Sequence, residues 1–243
     1  MTDDATRAAA APKLTSSGIS RLITVLVSFV VVAGVFFVGA GTLKAPRAWL
    51  YYGGTFAYEL IALIALFLFF PGAIEVINER GKPFKKDVKK WDKVFGVSYA
   101  VLLLVMPALA GLDGVRFHWS TAPAFLAVPG LVVTIVAYMF MHWAMIVNKY
   151  AETGVRIQED RHHEVVYSGP YRFVRHPFYV SLILTYLVYP LAVGSLYAFV
   201  PAFLLVVLLV WRTAREDATL RRELDGYEAY AAHTRYRLVP FVW

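Results

Sequence analysis

Cysteine is absent from this chain, which excludes disulfide staples and thiolate metal sites. Charge is scarce as well: Asp, Glu, Lys and Arg make up 17% of its 243 residues, where a soluble domain carries about 25%. No Gly/Ser-rich linker and no internal repeat divides it, so a single domain is expected. What is abundant is apolar. Hydrophobic residues reach 59% and the mean hydropathy is +0.57, the composition of several bilayer-spanning helices. The net charge of +7 does not point to nucleic acid, because the cations sit in loops between apolar runs, where they orient membrane proteins.

Residues 1–18, rich in Ala, Thr and Ser, read as a disordered tail, and 19–243 as one membrane domain whose 148–243 part carries the site. The run Leu22 to Ala40 exceeds a signal-peptide core of about 7–15 residues and reads as a retained helix. Spans are expected at 20–41, 49–71, 94–112 and 122–147. The apolar stretch 178–211 is too long for one span. Tyr189-Pro190 and Gly194-Ser195 interrupt it, which predicts a helical hairpin. The expected fold is therefore all-α and polytopic: about four spans, a C-terminal transmembrane helical hairpin and a cytoplasmic C-terminal helix.

With the N-terminus inside, only Lys44, Arg47 and Arg116 of the 24 basic residues fall outside, so both termini are expected in the cytoplasm, the protein lying in the cell inner membrane. The basic loop 79–93 reads as an orienting segment drawn to anionic membrane lipids. Trp91, Trp119, Trp143 and Trp211 lie near span ends and read as interfacial anchors.

Three polar blocks remain: Asn148 to Tyr171, then Arg175-His176-Pro177-x-Tyr179, then Arg212-x-x-x-Glu216-Asp217-x-x-Leu220 followed by Gly226-Tyr227-x-x-Tyr230. A hairpin returns the chain to the side it left, so the second and third blocks should meet. Pro177 suits the first turn of a helix, placing Arg175 and His176 at the positive end of its dipole, where an anion is favoured. Arg212 and Glu216 share a helical face, and Glu216 and Asp217 offer acceptors for an ammonium group. A ligand carrying an α-carboxylate and an α-amine satisfies both sides. S-adenosylmethionine has such a tail, and its sulfonium suits tyrosine faces. Adjacent His162-His163 cannot share one ion well, and no metal is expected.

The run His163-x5-Gly169-Pro170-Tyr171-x3-Arg175-His176-Pro177-x-Tyr179 resembles the isoprenylcysteine carboxyl methyltransferase family. So do the block Arg212 to Tyr230 and the ending Arg237-Leu238-Val239-Pro240-Phe241-Val242-Trp243. The likeness covers about the last hundred residues. Lys90-Trp91-Asp92-Lys93, Gly111-Leu112-Asp113 and Asn148 resemble a bacterial branch of the same superfamily. The resemblance implies a helical membrane enzyme using S-adenosylmethionine as methyl donor. His163, Gly169, Pro170, Tyr171, Arg175, His176 and Tyr179 would form one wall of the donor site, and Arg212, Glu216 and Asp217 the other. Asp217 stands where the family more often has Glu.

Arg175, His176 and Glu216 are the expected catalytic set. Arg175 and His176 hold the donor tail or orient an acceptor oxygen, and Glu216 holds the donor amine. Carboxyl O-methylation of a lipophilic small molecule or lipidated substrate is favoured. Phospholipid amine N-methylation, an NADPH-dependent sterol-type membrane reductase and a non-enzymatic lipid-binding or transport protein are the rivals. Glu59 and His142 lie inside predicted spans, where a polar side chain is costly unless used. With Asn148 they are the candidate substrate contacts.

Overall fold

Apolar run length decides most of this architecture. The computed structural model describes residues 13–82 and 88–243; most of the expected tail, and Lys85 and Lys86 of the basic loop, lie outside the described residues. The helices are α1 (Ser16–Ala40), α2 (Pro46–Phe69), α3 (Ala73–Arg80), α4 (Lys90–Gly111), α5 (Ala127–Val147), α6 (Pro177–Val193), α7 (Phe199–Glu223) and α8 (Tyr227–His233). No strand occurs among the described residues. Four helical runs are long and apolar enough to cross a membrane: Ser16–Ala40, Pro46–Phe69, Lys90–Phe117 and Ala124–Val147. The fold is a polytopic all-α membrane fold, as the sequence implies.

The packing forms a ring. α1 lies against α4, α4 against α7, α7 against α6, α6 against α5, and α5 against α2. α1 and α2 close on each other near their joining loop, where the Phe36 and Tyr52 rings stand 5.6 Å apart and those of Phe37 and Trp49 4.7 Å. At the other end, α3 packs across the start of α1. That end, the polar end, also carries α8 and the C-terminal tail, residues 234–243.

Three expectations need adjustment. α1 starts at Ser16, inside the segment expected as a tail, because Thr15 caps it by accepting from the Gly18 N–H. The short α3 was not foreseen; its eight residues are too few for the periodicity to register. The expected break at Tyr189-Pro190 does not occur. α6 runs through Pro190 to Val193 and ends at Gly194, which adopts φ 94°, a left-handed conformation open to glycine at little cost. A proline near a helix C-terminus removes one ladder bond but leaves the last turn intact. Arg47 then satisfies the freed end of α6, donating to the carbonyls of Leu191 at 2.5 Å and Ala192 at 3.3 Å.

At the end opposite the polar one, a π-helical turn (Leu112–Phe117) extends α4 and buries Asp113 completely. Its carboxylate accepts from Ser120 and from Ser195 and Tyr197 of the α6–α7 loop. The hairpin turn is thus tied to α4.

α1 and α4 pack backbone to backbone. A Cβ on Gly111 would stand 2.2 Å from the Phe36 carbonyl oxygen, whereas one on Gly53 meets nothing within 4 Å. Gly111→Val should therefore destabilise by about 1–3 kcal/mol through overpacking, and Gly53→Ala should not destabilise. Thermal unfolding in detergent checks both.

Candidate functional site

The second and third polar blocks meet at one carboxylate. Pro177 opens α6 with His176 before it, as the missing proline N–H permits. α7 returns antiparallel and brings Asp217 opposite. Asp217 is fully buried and Arg175 is 4% exposed. Arg175 Nε donates to Asp217 Oδ1 at 2.7 Å and its Nη2 to Oδ2 at 3.2 Å. The same carboxylate accepts from Arg237 Nε at 2.9 Å, Arg221 Nε at 3.2 Å and the Tyr227 hydroxyl at 3.1 Å. His176 Nε2 stands 3.4 Å away.

The hairpin does join the predicted blocks. The guanidinium expected to grip an external anion is, however, engaged within the chain. Arg175 Nη1 also donates to the carbonyls of Thr234 at 2.7 Å and Arg235 at 2.8 Å. The backbone N–H groups of Arg175 and His176 go to the carbonyls of Tyr236 and Arg237. The C-terminal residues therefore occupy the helix entrance where an anion was anticipated.

Arg212 and Glu216 were expected on one helical face, and both line the same cavity. Arg212 turns to α4: its Nε is 2.9 Å from Asp92 Oδ1, and its Nη2 donates to the Thr153 carbonyl at 2.8 Å. Its guanidinium is layered between the rings of Phe95 (4.4 Å) and Tyr179 (5.5 Å). One oxygen of Glu216 accepts the Tyr179 hydroxyl at 2.5 Å, and the other has no partner among the described residues.

These groups line a cavity of about 1210 Å³ that runs from the polar end into the apolar interior of the ring. His163, Tyr171, Arg175, His176, Tyr179, Arg212, Glu216 and Asn148 all reach it, and so do Glu59 and His142 deeper between the helices. Gly169 and Pro170 stay behind the wall as the turn that sets Tyr171: Gly169 packs on Val147 and Trp143, and the Tyr171 hydroxyl accepts from Asn148 Nδ2 at 3.0 Å. Asp217 is likewise behind the wall and not in the cavity lining. The His163 ring stacks near Tyr150 at 4.5 Å, and burial, with Arg156 adding to it, lowers its pKa to about 4.

Polar lining residues not singled out as site residues from the sequence include Arg21, Arg80, Asp92 and Gln158. Arg80 donates from Nη1 to the Ala151 carbonyl at 3.0 Å, while its Nε is buried with no hydrogen-bond partner among the described residues. Burial and the neighbouring Arg21 guanidinium push its pKa down to about 10, so it stays cationic. Arg21 makes no hydrogen bond or ion pair with a described residue. Both cations were folded into the orienting charge of the loops. Only Asp92 carried a local signal, within Lys90-Trp91-Asp92-Lys93.

Removing either partner of the buried Arg175–Asp217 pair leaves an uncompensated charge, which typically costs about 3–5 kcal/mol. Arg175→Ala and Asp217→Ala should each lower the unfolding temperature sharply, and Glu216→Gln should not; differential scanning fluorimetry compares the three. His163 supplies a pH dependence. Its folded pKa lies below the unfolded value of about 6.5, so the unfolded state binds the proton more readily. Stability should be level above about pH 6.5 and fall as pH drops toward 4, and His163→Gln should flatten that decline in unfolding scans against pH.

Residues 117–222 match the family model described as Isoprenylcysteine carboxyl methyltransferase (ICMT) family. The matched segment takes in the whole run from His163 to Tyr179 and the Arg212–Glu216–Asp217 face, and stops before Gly226-Tyr227. No curated protein matches the chain. Over that segment the chain is similar to the isoprenylcysteine carboxyl methyltransferase family, and its apolar helices make it an integral membrane protein.

Proposed function

We propose that the chain transfers a methyl group from S-adenosylmethionine to the carboxylate of a lipophilic acceptor held in the membrane. The observation that carries this reading is the single cavity joining a polar chamber, walled by Tyr179, His176 and Glu216, to an apolar interior walled by α1, α2, α4 and α5. A polar donor and a lipophilic acceptor need such a two-part space.

The residues present fit the donor. The free oxygen of Glu216 is an acceptor for its ammonium group, and Tyr179 and Tyr171 offer ring faces and edges to a sulfonium. The Nε of Arg80 and the guanidinium of Arg21, both without a hydrogen-bond partner among the described residues, are matched to carboxylates, of which donor and acceptor each bring one. Bound there, S-adenosylmethionine supplies a methyl group on a positively charged sulfur.

The chain's own part is alignment and dryness. Arg175 acts through Asp217 rather than on the ligand: the pair fixes the His176 ring, which lies nearly parallel to Tyr179 at 5.8 Å, and so fixes the hydroxyl that orients Glu216. The Arg212–Asp92 pair closes the wall between α7 and α4 against water. A carboxylate acceptor is already nucleophilic at neutral pH and needs no base. An amine acceptor would need one, and would meet the cationic Arg21 and Arg80. Cytoplasmic termini follow from the distribution of Lys and Arg, and put the polar chamber on the side where the donor is found.

Purified protein incubated with methyl-labelled S-adenosylmethionine and a membrane lipid and protein extract should yield base-labile label, the mark of an ester. Base-stable label on an amine would favour phospholipid N-methylation. Glu216→Gln should weaken donor binding by at least tenfold in calorimetry with the fold intact, and unchanged affinity would remove Glu216 from the donor site.

A further inference from the structure

We infer that the deep end of the cavity is a polar receptor for a hydrogen-bond donor, most simply a hydroxyl, carried on the lipophilic body of the acceptor at a distance from the group that is methylated. This rests on the methyltransferase reading above and specifies its substrate.

The cavity lining gives depth along each helix. On α2 it runs from Leu66, nearer the polar end, to Glu59; on α5 from Met145 to Tyr138; on α1 from Arg21 to Phe29. Seven or eight residues at about 1.5 Å each put Glu59 and Tyr138 about 10–12 Å below the first lining residues of their helices. Between these levels α1 and α2 present hydrocarbon, Leu22, Val25 and Leu26 of α1 with Leu60 and Leu63 of α2, while His142 of α5 reaches in from the side between Met145 and Tyr138. Polarity then reappears at the floor.

The floor groups know one another only loosely. His142 Nε2 stands 3.5 Å from Glu59 Oε2, at the limit of a hydrogen bond, and its Nδ1 lies 3.0 Å from the Tyr58 hydroxyl. The second oxygen of Glu59 has no partner among the described residues, nor has the Tyr138 hydroxyl, whose ring lies 6.1 Å from that of Tyr58. A carboxyl held at membrane depth with spare acceptor capacity is costly. A plain hydrocarbon tail seated against it would leave it unsatisfied. A hydroxyl can donate to the free Glu59 oxygen and accept from Tyr138, which answers both open valences at once. The rival role, a pin between α2 and α5, is served by the Tyr58–His142 contact and leaves these two groups unused.

Lauric acid and its ω-hydroxy derivative test this. Their binding to the full chain in phosphatidylcholine nanodiscs is read by calorimetry, and their methylation with labelled S-adenosylmethionine by ester formation. The hydroxylated acid should bind about tenfold tighter (1.4 kcal/mol). Glu59→Leu and His142→Phe should each bring the ratio of the two affinities toward one. Equal binding of the two acids to the unsubstituted chain, or a preference that survives both substitutions, overturns the polar floor. A preference in binding with no methyl transfer to either acid keeps the floor and counts against the methyltransferase reading alone. Binding of neither acid overturns both.

Discussion

One buried carboxylate organises the polar end. Asp217 is out of contact with solvent and receives three guanidiniums, from α6's entrance, from its own helix and from the tail. Bringing such charges out of water is expensive, and the arrangement holds only because nearly every donor around the carboxylate is aimed at it. The consequence is geometric. With Arg175 locked between Asp217 and the Thr234 and Arg235 carbonyls, the backbone at 175–176 pairs with 236–237, and the position of His176 and the start of α6 follow. Tyr179 and its hold on Glu216 then have one placement.

A second charge pair does a different task. Arg212 and Asp92 join α7 to α4, and the Asp92 carboxylate also receives the Val155 N–H. This bridges the loop 148–176, which carries His163 and Tyr171, to the ring of helices. Two pairs thus close the polar chamber from opposite sides, one on the α6–tail side and one on the α4 side. Inside the cavity, one oxygen of Glu216 and the Nε of Arg80 keep no hydrogen-bond partner among the described residues. The candidate site is defined by the valences left open once the structural charges have paired.

Much of the scaffold was legible without coordinates. The expected spans agree with α1, α2, α4 and α5 to within a few residues, because a bilayer demands unbroken apolar length and the signal is strong. The hairpin followed from length too, and of its two expected interruptions Gly194-Ser195 is where the helix breaks while Tyr189-Pro190 is not. The meeting of the Arg175-His176 block with the Arg212–Glu216 block needed only topology. Less legible were the partners. Arg212 and Glu216 are neighbours on a helix face, yet one turns to Asp92 and the other to Tyr179, since a buried cation takes the better-placed carboxylate rather than the nearer one in sequence. Arg80 was hidden in a basic loop, where composition speaks only of orientation.

The amino-acid order by itself determined which segments cross the membrane, which side holds the cations, and that two motif-bearing blocks return to the same end; these depend on local hydropathy and chain continuity. The tertiary structure alone decided which charges pair with one another and which keep an open valence among the described residues. That distinction rests on contacts across 42 residues for Arg175 with Asp217 and 120 for Arg212 with Asp92. Pairing over such spans is set by how helices tilt and pack, and no local pattern of residue types encodes it.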